Sequence, residues 1–578
     1  MTSREGSTRG FWALIVTQFQ GAFSDNALKA LVTFLGLALA ATHAERERVV
    51  PLVGLLFSLP FIFFSMAGGW LADRLSKRAV SLGVKIFELG IMAFAWFGLR
   101  HEHLPMAFAA VALMGVHSAF FGPSKYGLLP ELLPEHRLSW GNGILELGTF
   151  LAIILGGAAG GLLYQQFKGR YEHAALLLLA FAGIGLAAAL AITRVPAANP
   201  GKAFRANFLG DLFSQIGRIR RDRILWLAVL GNTYFFYLGA LILQNAILFG
   251  ADTLRVDEFR TSCLQAALAV GIGLGSFAAG CLSGGKIEYG LVPLGAIGMT
   301  IFSGALGVPI LGYRAALLLL TLLGFFGGFF IVPICAIMQH RPDRKERGAV
   351  LAAANLLSFV GIALASGVFW LLRAADLTTS QVFLAGAGMT LAVLLLLSVL
   401  LPDAFLRMLL WGYTHSLVRL RVEGGEHLSA AKGALLVAER STFADGLLIL
   451  AATDHPLRPI MARRLYDRPW IRLFAKSARA LPCAPRALRE AGVALREGEA
   501  VLVWRETGAA VDGEPSAWER RLGRLLGNSD VARIAVQIDA PSDQTGRRRL
   551  LFRARTVRFG RPTPRPHASD RGVVHTRG

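Results

Sequence analysis

The sequence predicts an all-α polytopic membrane protein, with about twelve transmembrane helices in two six-helix halves, followed by a small α/β domain. Three observations predict it. The 578-residue chain is 54% hydrophobic and only 17% charged, with a mean hydropathy of +0.51, outside the range of ordinary globular domains. Apolar runs long enough for a bilayer core of ~30 Å, about 20 residues each, recur from Phe11 to Leu401. Beyond Leu401 the pattern changes to short alternating strands and amphipathic helices.

The expected spans are 11–41, 50–73, 79–99, 104–131, 138–164, 172–193, 223–249, 262–284, 291–311, 314–338, 347–373 and 380–401. Residues 1–10 are too short and polar for a signal peptide, so the first span is expected to stay in the membrane. The first half covers 11–193 and the second 223–401. Between them lies a 194–222 linker, in which Phe208 begins a short interfacial helix. With the N-terminus placed in the cytoplasm, the inner loops hold 16 lysines and arginines and the outer loops 9. This asymmetry puts both termini and the tail on the cytoplasmic side.

A formal charge of +22 raises the question of nucleic acid, but the aromatic interleaving of a base-stacking surface is missing. The simpler partner is the anionic inner leaflet, which attracts each basic residue near it by ~1 kcal/mol. Cys263, Cys281, Cys335 and Cys483 are scattered without metal-ligand spacing. No metal and no cofactor are expected.

Several polar residues lie in or beside the spans, where a charge costs ~2.5–3.5 kcal/mol even on insertion scales. Asp25, Asn26 and Lys29 fall in the first span, and Asp25 and Lys29, four residues apart, share a helix face. Both a structural ion pair and a substrate contact fit that spacing. In the fourth span Pro123 is expected to break the helix beside Lys125 and Tyr126. Lys125 suits an anionic head group, and snorkelling to the interface fits equally well. Asn142 and Glu146 share a face of the fifth span. The seventh offers Asn232, Tyr234, Tyr237, Gln244 and Asn245, residue types that commonly bond helix to helix.

The loop after the second span reads Gly69-Trp-Leu-Ala-Asp73-Arg74-Leu-Ser-Lys77-Arg78. It resembles the signature loop of the major facilitator superfamily, with Ser76 in place of a second glycine, and implies a cytoplasmic gate built on Gly69, Asp73, Arg74, Lys77 and Arg78. The second half has Gly280-Cys-Leu-Ser-Gly-Gly-Lys286 at the matching place. It lacks the acid, so the latch is expected to be asymmetric. Four stretches carry a narrower likeness: Gln18 to Lys29, Gly122 to Leu132, Gly284 to Gly295 and Gly327 to Pro333. They resemble the bacterial lysophospholipid transporter family, closest to members fused to an acyltransferase and an acyl-ACP synthetase. The resemblance implies inward flipping of lysophospholipids, chiefly lysophosphatidylethanolamine, across the inner membrane. It places Asp25 and Lys125 on the substrate path, and suggests acyl-ACP or a separate acyltransferase or synthetase as further partners. A carrier of some other small amphiphile is the alternative.

The tail is divided into 402–540 and a basic, partly disordered 541–578, with disorder expected from Gly560 onward. Phe405 to Arg421 is expected as an interfacial helix, with strands at Gly433–Ala438 and Ala500–Trp504. The order is similar to the glycerolipid acyltransferase fold. That family's chemistry needs a histidine to take the proton of the attacking glycerol hydroxyl and an aspartate to orient it. Here Arg440 stands at the histidine position with Asp445 retained, and a guanidinium stays protonated. The family's second block reads Trp504-Arg505-Glu506-Thr507, keeping Glu506 but losing proline and glycine. Arg486 is left as a phosphate contact. A catalytically silent, lipid-holding domain is the favoured reading, and an active enzyme using another base is the alternative.

Overall fold

The computed structural model describes residues 8–40, 42–101, 103–203, 208–284, 286–308, 312–416, 418–429, 433–439, 443–453, 457–461, 463–505, 531–539 and 553–562. It divides into two compact units, Met1–Leu396 and Leu397–Gly578.

In the first unit, α1 (Thr8–Leu39), α2 (His43–Arg74), α3 (Lys77–Arg100), α4 (Leu104–Leu132), α5 (Leu138–Gln166) and α6 (Tyr171–Leu190) form one half. The linker helix α7 (Phe208–Ile219) follows, with Phe213 70% exposed. The second half comprises α8 (Arg223–Leu248), α9 (Glu258–Leu282), α10 (Leu291–Leu306), α11 (Tyr313–His340), α12 (Arg347–Ala374) and α13 (Thr379–Leu400). Among the described residues, eleven helices are long and apolar enough to cross a membrane. The twelfth, α10, has 16 residues, about 24 Å at the usual rise. With twelve helices alternating in direction, both ends of the bundle and the linker lie on one face, here the terminal face.

Glycine sets how closely the helices approach. On α9 and α11, Gly271 and Gly275 face Gly324 and Gly328. A methyl group on Gly275 would lie 1.9 Å from the Phe325 carbonyl oxygen, and one on Gly328 would lie 2.2 Å from the Ser276 nitrogen. Two small-xxx-small pairs thus let backbones touch, the packing that replaces hydrophobic drive in lipid. Contrary to the sequence expectation, Pro123 does not break α4, which runs unbroken through Pro123 and Pro130. A spanning helix tolerates proline where neighbours cover the freed backbone. Gly68 of α2 packs there, so close that a Cβ would sit 2.7 Å from the Ala119 carbonyl oxygen.

The second unit starts with α14 (Pro402–Ser416), shorter than the expected helix because Arg419 and Arg421 belong to a strand. There follow β1 (Val418–Glu423), α15 (Gly425–Ser429), β2 (Ala434–Glu439), α16 (Phe443–Ala452), β3 (Leu457–Met461), α17 (Arg463–Tyr466), α18 (Pro469–Ser477), β4 (Leu481–Pro482), α19 (Pro485–Arg496), β5 (Ala500–Arg505), β6 (Ala532–Asp539) and β7 (Arg553–Phe559). The strands form one sheet in the order β1-β7-β6-β2-β5-β3-β4, with only β6–β7 antiparallel. Strand β7 forms within the basic 541–578 stretch: Val557 and Phe559 are buried while Arg558 is exposed. This alternation of period two was masked in composition by its arginines.

Replacing Gly275 with leucine should separate α9 from α11. Overpacking costs ~1–3 kcal/mol, so the thermal unfolding midpoint of the detergent-purified protein should drop by several degrees; an unchanged midpoint would contradict the packing.

Candidate functional site

At the terminal face the two halves are joined through a buried carboxylate. The last turn of α2 carries Asp73, fully buried, whose oxygens accept from the backbone N–H groups of Gly348 at 2.7 Å and Ala349 at 3.1 Å. These are orphan donors in the first turn of α12, where the helix dipole also favours a negative charge. Lys202 of the linker adds an ion pair at 2.7 Å. Such an approach requires Gly69, because a Cβ there would lie 2.5 Å from that of Ala352.

The rest of the gate loop is divided between roles. Lys77 is buried and bonds Glu131 at the end of α4 at 2.5 Å, while Arg344 of the second half reaches the same carboxylate at 3.6 Å. Arg78 donates to the Leu190 carbonyl at 2.9 Å, and Arg74 stacks on Trp70 at 5.1 Å. Ser76, where the superfamily pattern has glycine, donates to the Val195 carbonyl at 2.7 Å and so ties the loop to the start of the linker. Two further pairs cross between linker and second half: Arg341 with Asp222 at 2.5 Å, and Arg218 with Glu346. In the second half's own loop, Glu288 pairs with Lys286 at 2.8 Å, and the Lys286 carbonyl accepts from Ser139 of α5 at 3.1 Å. Both loops hold a buried acid, Asp73 in the first half and Glu288 in the second; Asp73 accepts from the opposite half, whereas Glu288 pairs within its own loop.

Deeper in the bundle, α1, α4 and α5 bring most of the polar residues together. Asp25 is buried and accepts from Ser118 Oγ at 2.6 Å through Oδ2. Its Oδ1 has no hydrogen-bond partner among the described residues. Tyr126 donates to Glu146 at 2.8 Å, and the Lys125 ammonium lies 4.9 Å from the Tyr126 ring centroid. The carboxylates whose field reaches Lys125 are Glu146 and Asp25. Asn142 forms a reciprocal amide pair with Gln339 of α11, at 2.9 and 2.7 Å, a second tie between halves.

Two expected residues stand apart from this group. Lys29 lies over the Phe57 ring at 4.5 Å, and no ion pair joins it to Asp25 among the described residues. Asn26 donates to its own helix at the Ala22 carbonyl, 2.8 Å away. In the second half, Asn232 bonds Ser358 at 2.7 Å, Tyr234 bonds Thr390 at 2.7 Å and Asn245 bonds the Thr379 carbonyl at 2.9 Å, all helix to helix.

Sequence reading missed a fully buried network on α1, α3 and α4. Lys85 bonds Glu88 at 2.6 Å and Gln20 at 2.7 Å, while Gln20 bonds Glu88 and Ser24, both at 2.8 Å. His117 Nε2 lies 3.4 Å from Glu88, and its Nδ1 lies 3.4 Å from Ser118 Oγ. The signal was present: a Lys-x2-Glu pair inside an apolar span is a functional pointer by itself.

In the second unit, Asp445 lies in the first turn of α16, directly after β2. Strands β2 and β5 pair in parallel with Glu439 opposite Arg505, so the chain leaves both strands side by side. The Trp504 ring lies against Gly446, the residue after Asp445. The carboxyl ends of two neighbouring interior strands thus lie side by side. Arg440 and Glu506, and with them the expected Arg440–Asp445 pair, lie outside the described residues. Arg486 is 90% exposed, pairs with Glu490 at 2.9 Å, and borders an open cleft of about 370 Å³ with Arg463 and Tyr466.

The Major Facilitator Superfamily model matches residues 14–366. The lysophospholipid transporter LplT of Klebsiella pneumoniae is 32% identical over 370 residues, covering 63% of this chain and 88% of the relative. That of Cronobacter sakazakii is 32% identical over 374 residues, with the same coverage. The chain belongs to the major facilitator superfamily, in the lysophospholipid transporter family. Among solved structures, it is similar to the human organic anion transporter MFSD10 (TM-score 0.55, 16% identity, covering 67% of this chain and 99% of that one). It is likewise similar to the transporter FucP in its outward conformation (TM-score 0.55, 14% identity, 68% and 98%). At these identities the likeness shows the fold alone: this is a multi-pass membrane protein of the major facilitator fold.

Asp73→Ala should orphan two α12 N–H groups and Lys202, each buried loss costing ~1–3 kcal/mol. Spin labels at Arg137 and Lys345 should then report a larger share of molecules with the terminal face open, roughly tenfold or more. An unaltered distance distribution would remove Asp73 from the latch.

Proposed function

We propose that this protein moves lysophospholipids, lysophosphatidylethanolamine among them, to the cytoplasmic leaflet of the bacterial inner membrane by alternating access. The observation that carries the reading is the 32% identity across 88% of relatives named lysophospholipid transporters. The site chemistry agrees with it. A zwitterionic head group offers an ammonium and a phosphate, and Asp25 and Lys125 supply one counter-charge for each on helices of the same half. In this reading the terminal face is the cytoplasmic one, and the Asp73 latch holds it shut until substrate binding favours the other state.

The tail is read as an acyltransferase-like domain that holds or hands on the flipped lipid without transferring an acyl group. Supporting this are Arg440 at the position of the base and a second block without its glycine. Acyl-ACP, or a separately encoded acyltransferase or synthetase, would complete reacylation.

Uptake of labelled lysophosphatidylethanolamine into spheroplasts tests the transport reading. The Asp25→Ala, Lys125→Ala double variant should lose uptake by more than tenfold at normal membrane abundance; full uptake would reject these residues as the head-group site. The full-length protein, supplied with acyl-ACP and lysophospholipid in detergent, should yield no diacyl product. Arg440→His is expected to restore turnover if the neighbouring groups are intact, whereas turnover by the unaltered protein would establish the active-enzyme alternative.

A further inference from the structure

The polar network of the first half leaves Lys29 over. Lys85 and Glu88 bond each other, and Gln20 bonds both. Lys125 faces the Glu146 carboxylate before that of Asp25. The Lys29 ammonium rests instead on the Phe57 ring of α2, 4.5 Å from its centroid, with no ion pair among the described residues. Asp25 is the charged group whose field reaches it.

Depth rules out an ordinary interfacial lysine. The mostly apolar stretch 30–39 separates Lys29 from the end of α1, about 15 Å of helix, farther than a lysine stem carries its ammonium to an interface. A cation at this depth is costly unless something polar meets it, and the side chain is only half-buried. One turn earlier on the same face stands Asp25, 8% exposed, with Oδ2 held by Ser118 and Oδ1 lacking any hydrogen-bond partner among the described residues. One helix face thus presents an unmet acceptor beside a cation that a phenylalanine ring alone engages. Asp25 and Glu146 bring two negative charges and Lys29 and Lys125 two positive, so the site is balanced, and a zwitterionic head group keeps it balanced.

We propose that Lys29 is a further phosphate-binding residue of the head-group site: its ammonium leaves the Phe57 ring for a phosphate oxygen while Asp25 Oδ1 takes the ethanolamine ammonium. The proposal rests on the lysophospholipid reading above and deepens it. The exchange is favourable because a charge-assisted bond to phosphate is stronger than the pull of a phenylalanine ring. The spacing fits as well. Residues four apart on a helix have Cβ atoms about 5–6 Å apart, and in phosphoethanolamine an oxygen and two carbons join phosphorus to nitrogen. The ring then acts as a parking place for the cation between substrates, and removing it should not weaken binding. A lysine that only ties α1 to α2 through Phe57 requires the opposite.

The test measures KM for labelled lysophosphatidylethanolamine and lysophosphatidylglycerol in proteoliposomes of the full chain, since both lipids carry the phosphate. Lys29→Met keeps the stem and loses the charge, and should raise KM for both lipids roughly tenfold. Lys29→Arg should recover most of that loss, and Phe57→Leu should leave KM unchanged or lower. An unaltered KM in Lys29→Met, a failure of arginine to restore binding, or a Phe57→Leu variant impaired as much as Lys29→Met would each overturn the proposal. Absence of saturable transport of either lipid by the unaltered protein would instead reject the substrate reading itself.

Discussion

In hydrocarbon no water is available to pair a polar group, so every donor and acceptor in a spanning segment must be met from within the protein. This chain places lysine, glutamate, aspartate and histidine side chains inside its first half, and the arrangement of α1, α3 and α4 follows from pairing them. The same constraint acts at the terminal face. There, the first turn of α12 has backbone N–H groups without helical partners, and Asp73 from the opposite half supplies acceptors for two of them. The tie is buried and joins helices of the two halves directly.

Rigid bodies are what an alternating mechanism needs. Glycine pairs let α9 and α11 touch backbone to backbone, giving the second half a stiff core with few side chains to rearrange. The halves too touch through glycine, as where Gly143 of α5 meets the Ser276 carbonyl of α9, and they are further tied by the Asp73 cap, the Asn142–Gln339 amide pair and the Glu131 carboxylate shared by Lys77 and Arg344. Each of these polar ties is a small set of directional bonds. Lys202 and Ser76 bring the linker into the same set, so the connection between halves is also part of their closure.

The tail is a separate α/β unit built on a seven-stranded sheet. Its parallel β2–β5 pair delivers two separate sequence segments to one end of the sheet, with the Trp504 ring against Gly446. A sheet of this kind positions loop residues at the carboxyl ends of its strands whether or not they can transfer protons. Architecture alone is a weak guide to activity.

The sequence by itself determined the membrane class, the division into two halves, the place of the linker and the gate loop, because each depends on composition or on local spacing. It also located Asp25, Lys125, Tyr126 and Glu146, since polar residues in apolar runs stand out without any structure. Only the tertiary structure decided which of them meet. Asp25 and Lys29 share a helix face, yet one bonds Ser118 and the other lies over Phe57. Pro123 read as a break, and packing of Gly68 at the Ala119 carbonyl lets the helix continue. Strand β7 was hidden by its arginines until its pairing with β1 and β6 showed which side chains turn inward. The Lys85–Glu88–His117 network needed three helices to assemble. Local periodicity records which face a residue shares with its own helix; the partner across the interface is set by how helices distant in sequence pack, and that is not written in any one segment.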